Sequence, residues 1–309
     1  MTIRKRLYAG LLFTGVCIPV LAGCQAPFLS VDDAVWMAGH RSRLGAYVGR
    51  APVLGMAKDV ERQRVQFCAD GQAVGAGRTD DDGAAAVVFD LADDATQYEA
   101  QAVVDGRELR GTGRVFHWDA RRVVIAVDID RTIEQTQYQR LIFGPGEDES
   151  AAMQSSAETL NDLARDFQIL YLTSRPRFLL DKTRTWLRER GFPDGPVVMA
   201  TGLRQMIRAR EYKLERLRTL RTEWPMLLIG IGDKPRDVDP YGANDMLAIA
   251  VPSKTGLKFG RHAIVLYDWR AVAEFFDANR AVLADADGLR EVIAGRRLLL
   301  RPVERYHQP

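Results

Sequence analysis

The sequence predicts a parallel α/β domain preceded by a small β-sandwich, and three observations predict it. From about Ser30 to Trp118, short alternating runs ("RVQF", "AAAVVFDL", "YEAQAVV", "GTGRVFHW") are separated by Gly and Asp turns ("ADGQ", "TDDDG", "VDGRE"), the spacing of a sandwich of short antiparallel strands. After Arg121 the pattern changes to apolar strands alternating with helix-length amphipathic stretches, which signals a parallel sheet covered on both faces. The strand runs of this second half are also nearly uninterrupted in their hydrophobicity, as central parallel strands are. The expected organisation is residues 1–23 as a removable leader, 24–119 as the sandwich, 120–285 as the α/β domain and 286–309 as a C-terminal tail.

Arg4, Lys5 and Arg6 precede an apolar run that ends in small residues, the layout of a secretory signal. The apolar stretch is shorter than the roughly 20 residues a spanning helix needs. At Leu21–Cys24, "LAGC" resembles the bacterial lipobox. That resemblance implies acylation of Cys24, cleavage before it, and a mature protein tethered to the periplasmic face of a membrane. Gln25 at the next position favours the outer membrane on the same resemblance. Of three cysteines, Cys17 leaves with the leader and Cys24 carries the acyl chains, so Cys68 stands alone and no intramolecular disulfide forms. Cys68 lies in an alternating run and reads as a small buried hydrophobe. The net charge over 309 residues is only +2, so there is no global basic field and nucleic acid is not expected as a partner.

In the sandwich, "GRTDDDGAAAVVFDL" resembles the hairpin of bacterial Ig-like and transthyretin-like modules. Asp80, Asp81 and Asp82 before Gly83 read as a solvated turn in preference to a calcium site. In the second half the expected strands are "VVIAVDI", "FQILYLT", "PVVMA", "MLLIGIG", "MLAIAV" and "AIVLYD". Helices are expected over Ala152 to Asp166, Leu179 to Arg190, Leu203 to Thr222 and Trp269 to Asn279.

Three strand ends carry the chemistry. "VVIAVDIDRTI" places Asp128 and Asp130 two residues apart, with Thr132 two further on. "ILYLTSRP" ends in Thr173, Ser174 and Arg175, the donor set an anionic oxygen needs. "LLIGIGDKPRDVD" ends in Asp233, with Asp237 at the start of a helix. Ligands bind in the crevice outside the carboxyl ends of such strands. An acid at a strand end is also an ordinary turn residue, but clustered carboxylates there repel unless one takes a proton or a hard divalent cation such as Mg²⁺ neutralises them.

The order of these segments resembles the haloacid dehalogenase superfamily, specifically its phosphatases, whose first motif reads Asp, any, Asp, any, Thr; here it is "DIDRT". The resemblance runs from Arg121 to Val251 and implies a Rossmann-like sheet of that type. It implies Asp128 as nucleophile, Asp130 as general acid and base, and Thr173 or Ser174 as the second-motif hydroxyl; Arg175, by its donor chemistry, is expected to bind the substrate. It further implies Mg²⁺ held by Asp128, Asp130, Asp233 and Asp237. Lys213, in "EYKLERLRTL" just before the "LLIGIGD" strand, occupies the place of the third-motif lysine among Lys182, Lys213, Lys234, Lys254 and Lys258.

Taken whole, "DIDRTI", "YLTSRPRFLLDKTRTWL", "EYKLERLRTL" and "IGIGDKPRDVDPYGA" resemble the catalytic region of lipin-type phosphatidate phosphatases. Arg131 stands where lipins carry Gly, and Asp233 where they often carry Asn. The segments between Thr132 and Phe167 and between Arg175 and Lys213 leave no room for a cap domain, so the site is expected to be open. With the acyl anchor, this implies a phosphorylated substrate displayed by a membrane, a lipid phosphate such as phosphatidate. The alternatives are a non-catalytic lipid-phosphate binding module, or a broad-specificity periplasmic acid phosphatase or nucleotidase.

Overall fold

The computed structural model describes residues 25–53, 56–136, 150–201, 205, 208–295 and 300–301. The signal segment, the lipobox and Cys24 lie outside the described residues, as does Leu203, the expected start of one helix.

An N-terminal sandwich-like region precedes a parallel sheet. Strands β1 (Pro27–Val31), β3 (Ser42–Val53), β4 (Met56–Asp59) and β7 (Ala84–Phe89) form one sheet. Strands β2 (Ala34–Trp36), β5 (Arg64–Ala69), β6 (Gln72–Arg78), β8 (Gln97–Val104) and β9 (Arg107–His117) form the other. Two hairpins follow directly from their Asp-Gly turns. Asp70-Gly71 joins β5 to β6 and Asp105-Gly106 joins β8 to β9, each with positive φ at both residues, the conformation that matches strand twist in a two-residue turn. At "TDDDG" the Asp80 carboxylate accepts from the backbone N–H of Asp82 and Ala84, a turn held by its own side chain.

Leu44, Ala46, Val48, Val65, Phe67 and Ala100 meet between the two sheets. Cys68 is buried and free on β5. Tyr98 crosses the core from β8: its hydroxyl accepts from Gly45 N–H at 3.0 Å and reaches the Gly45 carbonyl at 2.8 Å. Gly113 permits this, since a Cβ there would collide with the Tyr98 ring.

The parallel sheet contains β10 (Val124–Val127), β11 (Gln168–Pro176), β12 (Val197–Ala200), β13 (Leu227–Gly232), β14 (Leu247–Ala250) and β15 (Ile264–Val265). Their spatial order is β12-β11-β10-β13-β14-β15. The chain therefore winds outward one way from β10 and then returns to β13 on its other side. This is the doubly wound order, and its switch point lies between β10 and β13, where the crevice for a ligand opens.

Alternate residues of β10 point to opposite faces: Ile125 and Val127 into one apolar cluster, Val124 and Ala126 into the other. Helices α1 (Ser156–Leu163), α2 (Leu180–Glu189), α5 (Trp269–Ala284) and α6 (Ala286–Ile293) cover the first face. Helices α3 (Ala209–Glu223) and α4 (Pro235–Ala243) cover the second, together with Val35, Met37 and Trp118 from the sandwich side. Gly230 lets α4 approach β13, because a Cβ there would collide with the Tyr241 ring.

Two expectations need correction. Helix α1 begins at Ser156 instead of Ala152, because Ala152 bridges Glu134 and Met153 N–H bonds the Ile133 carbonyl, drawing that stretch into extended pairing. The segment expected as a tail begins with α6. Asp285 caps it by accepting from Gly288 N–H, and Leu289 and Val292, three apart, are buried in the core, so the apolar stripe has a face to cover.

The sandwich is tied to the α/β region by Asp33. Its side chain is buried and accepts from Arg114, from Arg184 at 2.8 Å, and from the Val197 N–H at 2.9 Å. Trp118 packs edge-on against Trp224, with ring centroids 5.1 Å apart. Asp33→Ala takes the buried carboxylate from Arg114 and Arg184 and leaves the Val197 N–H without its acceptor, and because Arg184 keeps the Val31 carbonyl and both arginines keep some solvent the loss is expected near the low end for a broken buried pair, about 3 kcal/mol. Asp33→Asn, which still accepts from Val197, should lose less. Urea unfolding of the two variants checks this, and equal stabilities would remove Asp33 as the tie.

Candidate active site

Asp128 follows β10 directly and Asp233 follows β13, so neighbouring parallel strands deliver both carboxylates to the switch point. Asp237 comes from the first turn of α4, which starts with Pro235 at a position where its missing N–H costs nothing. One carboxylate oxygen from each of Asp128, Asp233 and Asp237 lies within 4.8 Å of the others, and all three residues are buried.

Lys213, fully buried on α3, bridges two of them: Nζ donates to Asp128 Oδ1 at 2.6 Å and to Asp237 Oδ1 at 2.7 Å. Thr132 Oγ1 donates to the other Asp128 oxygen at 3.0 Å. Ser253, beyond β14, donates to Asp233 Oδ2 at 2.5 Å, and Lys234 Nζ lies 2.9 Å from the same atom. Asp233 Oδ1 has no partner among the described residues.

A second cluster sits beside the first. Arg175 is 1% exposed and donates through Nε and Nη2 to Asp130 Oδ1, and through Nη2 to Glu134. Its Nη1 donates to Thr183 Oγ1. Thr173 Oγ1 donates to Asp130 Oδ2 at 3.1 Å and accepts from Arg175 N–H. The loop carrying these groups is pinned: Asp130 bridges Glu134, and Trp269 Nε1 donates to the Thr132 carbonyl at 2.7 Å. Arg131 has a φ of 65°, a left-handed conformation that glycine adopts without cost and arginine does not.

The electrostatics follow from burial. Loss of water pushes the Asp128 carboxyl up to about 7; Lys213 opposes this while Asp237, Asp130 and Asp233 add to it. Burial likewise raises Asp233 against its bonds to Ser253 and Lys234. For Asp237 burial also acts upward, but the charge and hydrogen bond of Lys213 outweigh it and hold the carboxyl below its usual range. Lys213 loses water too, yet Asp128 and Asp237 keep its ammonium well above the ordinary lysine value.

Among the described residues, five carboxylates (Asp128, Asp130, Glu134, Asp233, Asp237) thus face three cations (Arg175, Lys213, Lys234). The difference is two negative charges. Arg236, 4.0 Å from Asp237 and half exposed, is screened by solvent and closes little of that gap. A three-carboxylate set with one oxygen unpartnered and a deficit of two charges can coordinate a hard divalent cation such as Mg²⁺.

The structure thus brings Asp128, Asp233 and Asp237 together, with Lys213 reaching two of them from α3. Two expectations change. The Asp130 carboxylate lies outside the three-aspartate set, because Arg175 and Thr173 take up both its oxygens. Arg175, expected to bind a substrate anion, is directed onto Asp130 and Glu134, since buried carboxylates need a cation. Of the two candidate hydroxyls, Thr173 is engaged internally, whereas Ser174 Oγ is buried without a partner among the described residues. Sequence reasoning does not single out Glu134 or Ser253. Glu134 carries a weak signal, four residues past Asp130; Ser253 shares with the other groups only its place beyond a strand end.

Comparison with known proteins bears on part of the chain. No curated protein matches it. Among solved structures, the titin domains z1z2 in complex with telethonin are similar at 16% identity and a TM-score of 0.22 over 34% of this chain, and the chain spans 57% of the titin chain. The human B7-H4 IgV-like domain is similar at 8% identity and a TM-score of 0.20, over 29% of this chain and 96% of that one. A carbohydrate acetylesterase from Xanthomonas citri is similar at 13% identity and a TM-score of 0.27, over 71% of this chain and 64% of its own. Scores this low assign neither fold nor activity. Residues 124–248, the span that holds Asp128, Lys213, Asp233 and Asp237, match the family model described as PITM 1-3, LNS2 domain.

Proposed function

We propose that the chain is a Mg²⁺-dependent phosphomonoester hydrolase of the capless haloacid dehalogenase type, acting on a lipid phosphate such as phosphatidate. The observation that carries this reading is Asp128 itself: a buried carboxylate at the switch point, oriented by Thr132 and Lys213, with Asp233 and Asp237 beside it. An aspartate can attack phosphorus once its repulsion with the phosphate is cancelled. A Mg²⁺ ion held by Asp128, Asp233 and Asp237 would supply that cancelling charge.

In the proposed reaction an oxygen of Asp128 bonds to phosphorus as the phosphorus–oxygen ester bond breaks, and Asp130 gives its proton to the leaving oxygen. Asp130 then takes a proton from the water that attacks phosphorus, which frees the Asp128 carboxylate and inorganic phosphate. Lys213 keeps the Asp128 carboxylate in position throughout, and Ser174, whose hydroxyl has no internal partner among the described residues, is the hydroxyl available to a phosphoryl oxygen. A second reading, a lipid-phosphate binding module without turnover, is favoured by one observation. Both oxygens of Asp130 are already bonded, to Arg175 and Thr173, and one must be released before it can carry a proton.

Location belongs to the same proposal: acylation at Cys24 would hold the open site at the periplasmic face of a membrane, the outer one favoured. Confinement to that surface raises the local concentration of a lipid phosphate without any new contact.

Phosphate release from phosphatidate in mixed micelles, beside soluble phosphomonoesters and nucleotides, with and without Mg²⁺, separates the readings. Asp128→Asn should abolish turnover while the protein stays folded, and Asp130→Asn should slow it by roughly 10²-fold or more, the usual share of a general acid. Turnover retained in Asp128→Asn would exclude it as nucleophile, and efficient nucleotide hydrolysis with none on phosphatidate would replace the lipid substrate. Mg²⁺ at about a hundredfold above its dissociation constant should stabilise the protein by about 2.7 kcal/mol, with Asp233→Asn losing most of this; a melting temperature indifferent to Mg²⁺ would count against the metal. Cys24→Ser should leave the membrane fraction or stay unprocessed, and fractionation with unchanged size and partition would argue against the anchor.

A further inference from the structure

A cavity of about 230 Å³ lies in the seam between the sandwich and the α/β region, apart from the carboxylate centre. Its lining carries four guanidinium groups, Arg41, Arg43, Arg177 and Arg216, against the carboxylates of Asp32, Asp33 and Glu223. Those carboxylates are taken. Asp32 pairs with Arg177, Asp33 with Arg114 and Arg184, and Glu223 with Arg43 at 3.8 Å.

The cations are not all answered. Arg216 has no ion pair or hydrogen bond among the described residues, although it lines both this cavity and the groove beside it. Arg177 is 7% exposed; two of its nitrogens face Asp32, but Nε has no partner among the described residues. Tyr212, one turn before Arg216 on α3, lines the adjoining groove, and its buried hydroxyl also lacks a partner among them. A buried N–H or O–H without an acceptor forfeits its hydration and gains nothing in exchange. Burial, and beyond it the nearby Arg216 and Arg184, bring the Arg177 guanidinium down to about 10; burial and Arg43 lower that of Arg216.

We propose that this seam is a second anion site, in which Arg177, Arg216 and Tyr212 receive a phosphate group, free or esterified. Two guanidinium groups and a hydroxyl approaching from different elements call for an anion with several acceptor oxygens. A phosphate offers three or more, a carboxylate two. Arg177 stands one residue beyond β11 and Tyr212 directly precedes Lys213, so both elements that build the seam site also build the carboxylate centre. The site is independent of the hydrolase reading and holds for a binding module equally.

The test is thermal unfolding of the full chain in EDTA, where the carboxylate centre lacks a cation and repels anions. Inorganic phosphate, glycerol 3-phosphate and dihexanoyl phosphatidate below its micelle concentration are each compared with sodium chloride at equal ionic strength. Phosphate should raise the melting temperature saturably beyond chloride. Arg216→Gln should weaken the apparent affinity at least tenfold, Tyr212→Phe should weaken it less, and Asp128→Asn should leave it unchanged. Arg177→Gln would also release Asp32, so Arg216 and Tyr212 are the positions to vary. Equal responses to the three probes identify the phosphate group itself as the ligand, and a stronger response to dihexanoyl phosphatidate identifies a lipid headgroup; both support the site. No effect beyond chloride, an effect unchanged in Arg216→Gln, or one lost in Asp128→Asn would overturn it.

Discussion

Lys213 between Asp128 and Asp237 is the contact on which the rest of the centre depends. The doubly wound sheet brings β10 and β13 side by side, and their ends carry acids into buried positions. Carboxylates buried together destabilise the fold unless cations reach them. Lys213 does so from α3, which must therefore lie against the second face of the sheet with its amine aimed at the strand ends. Arg175 performs the same service for Asp130 and Glu134 from the end of β11. The packing of α3 and α4 and the course of the loop after Asp130 all follow from this charge balance.

That balance stops short of neutrality, and the remainder has chemical meaning. A structural ion-pair network would match its charges, since an unanswered buried charge is expensive. Here, among the described residues, carboxylates outnumber cations by two, beside an aspartate oxygen that has no partner among them. The seam cavity shows the opposite imbalance: among the described residues of its lining, four guanidinium groups face three carboxylates. One region is short of a cation and the other of an anion, and α3 supplies a residue to each. Both draw on one stretch of α3: Lys213 donates to Asp128 and Asp237, while Arg216 lines the seam cavity and Tyr212 the groove beside it.

The sandwich accordingly acts as a wall of the α/β region as well as a separate layer. Val35, Met37 and Trp118 share an apolar cluster with α3 and β13, and Asp33 holds Arg184 of α2 and the start of β12. Burying apolar surface of this kind at about 25 cal/mol per Å² favours a fixed orientation, and the charged clamp at Asp33 selects which one.

Much of this was legible in the sequence, because it rests on local rules. Period-two alternation, Asp-Gly turns and uninterrupted apolar runs report on backbone geometry within a few residues, and they located β5, β7, β8 and β9 of the sandwich, the six parallel strands and the acids at their ends. The resemblance to the phosphatase motifs pointed to Lys213 among five lysines, since it precedes the strand that carries Asp233. What the tertiary structure decided was partnership. Whether Arg175 meets an incoming anion or Asp130 and Glu134, whether Thr173 or Ser174 keeps a free hydroxyl, and whether Asp130 joins the three-aspartate set all depend on groups tens of residues apart. The seam is the same case: Arg43, Arg177 and Arg216 come from three distant elements, and only the docking of two layers makes them neighbours. Even helix α6 obeyed this division, for Leu289 and Val292 acquired meaning only where the sheet offered a face to bury them.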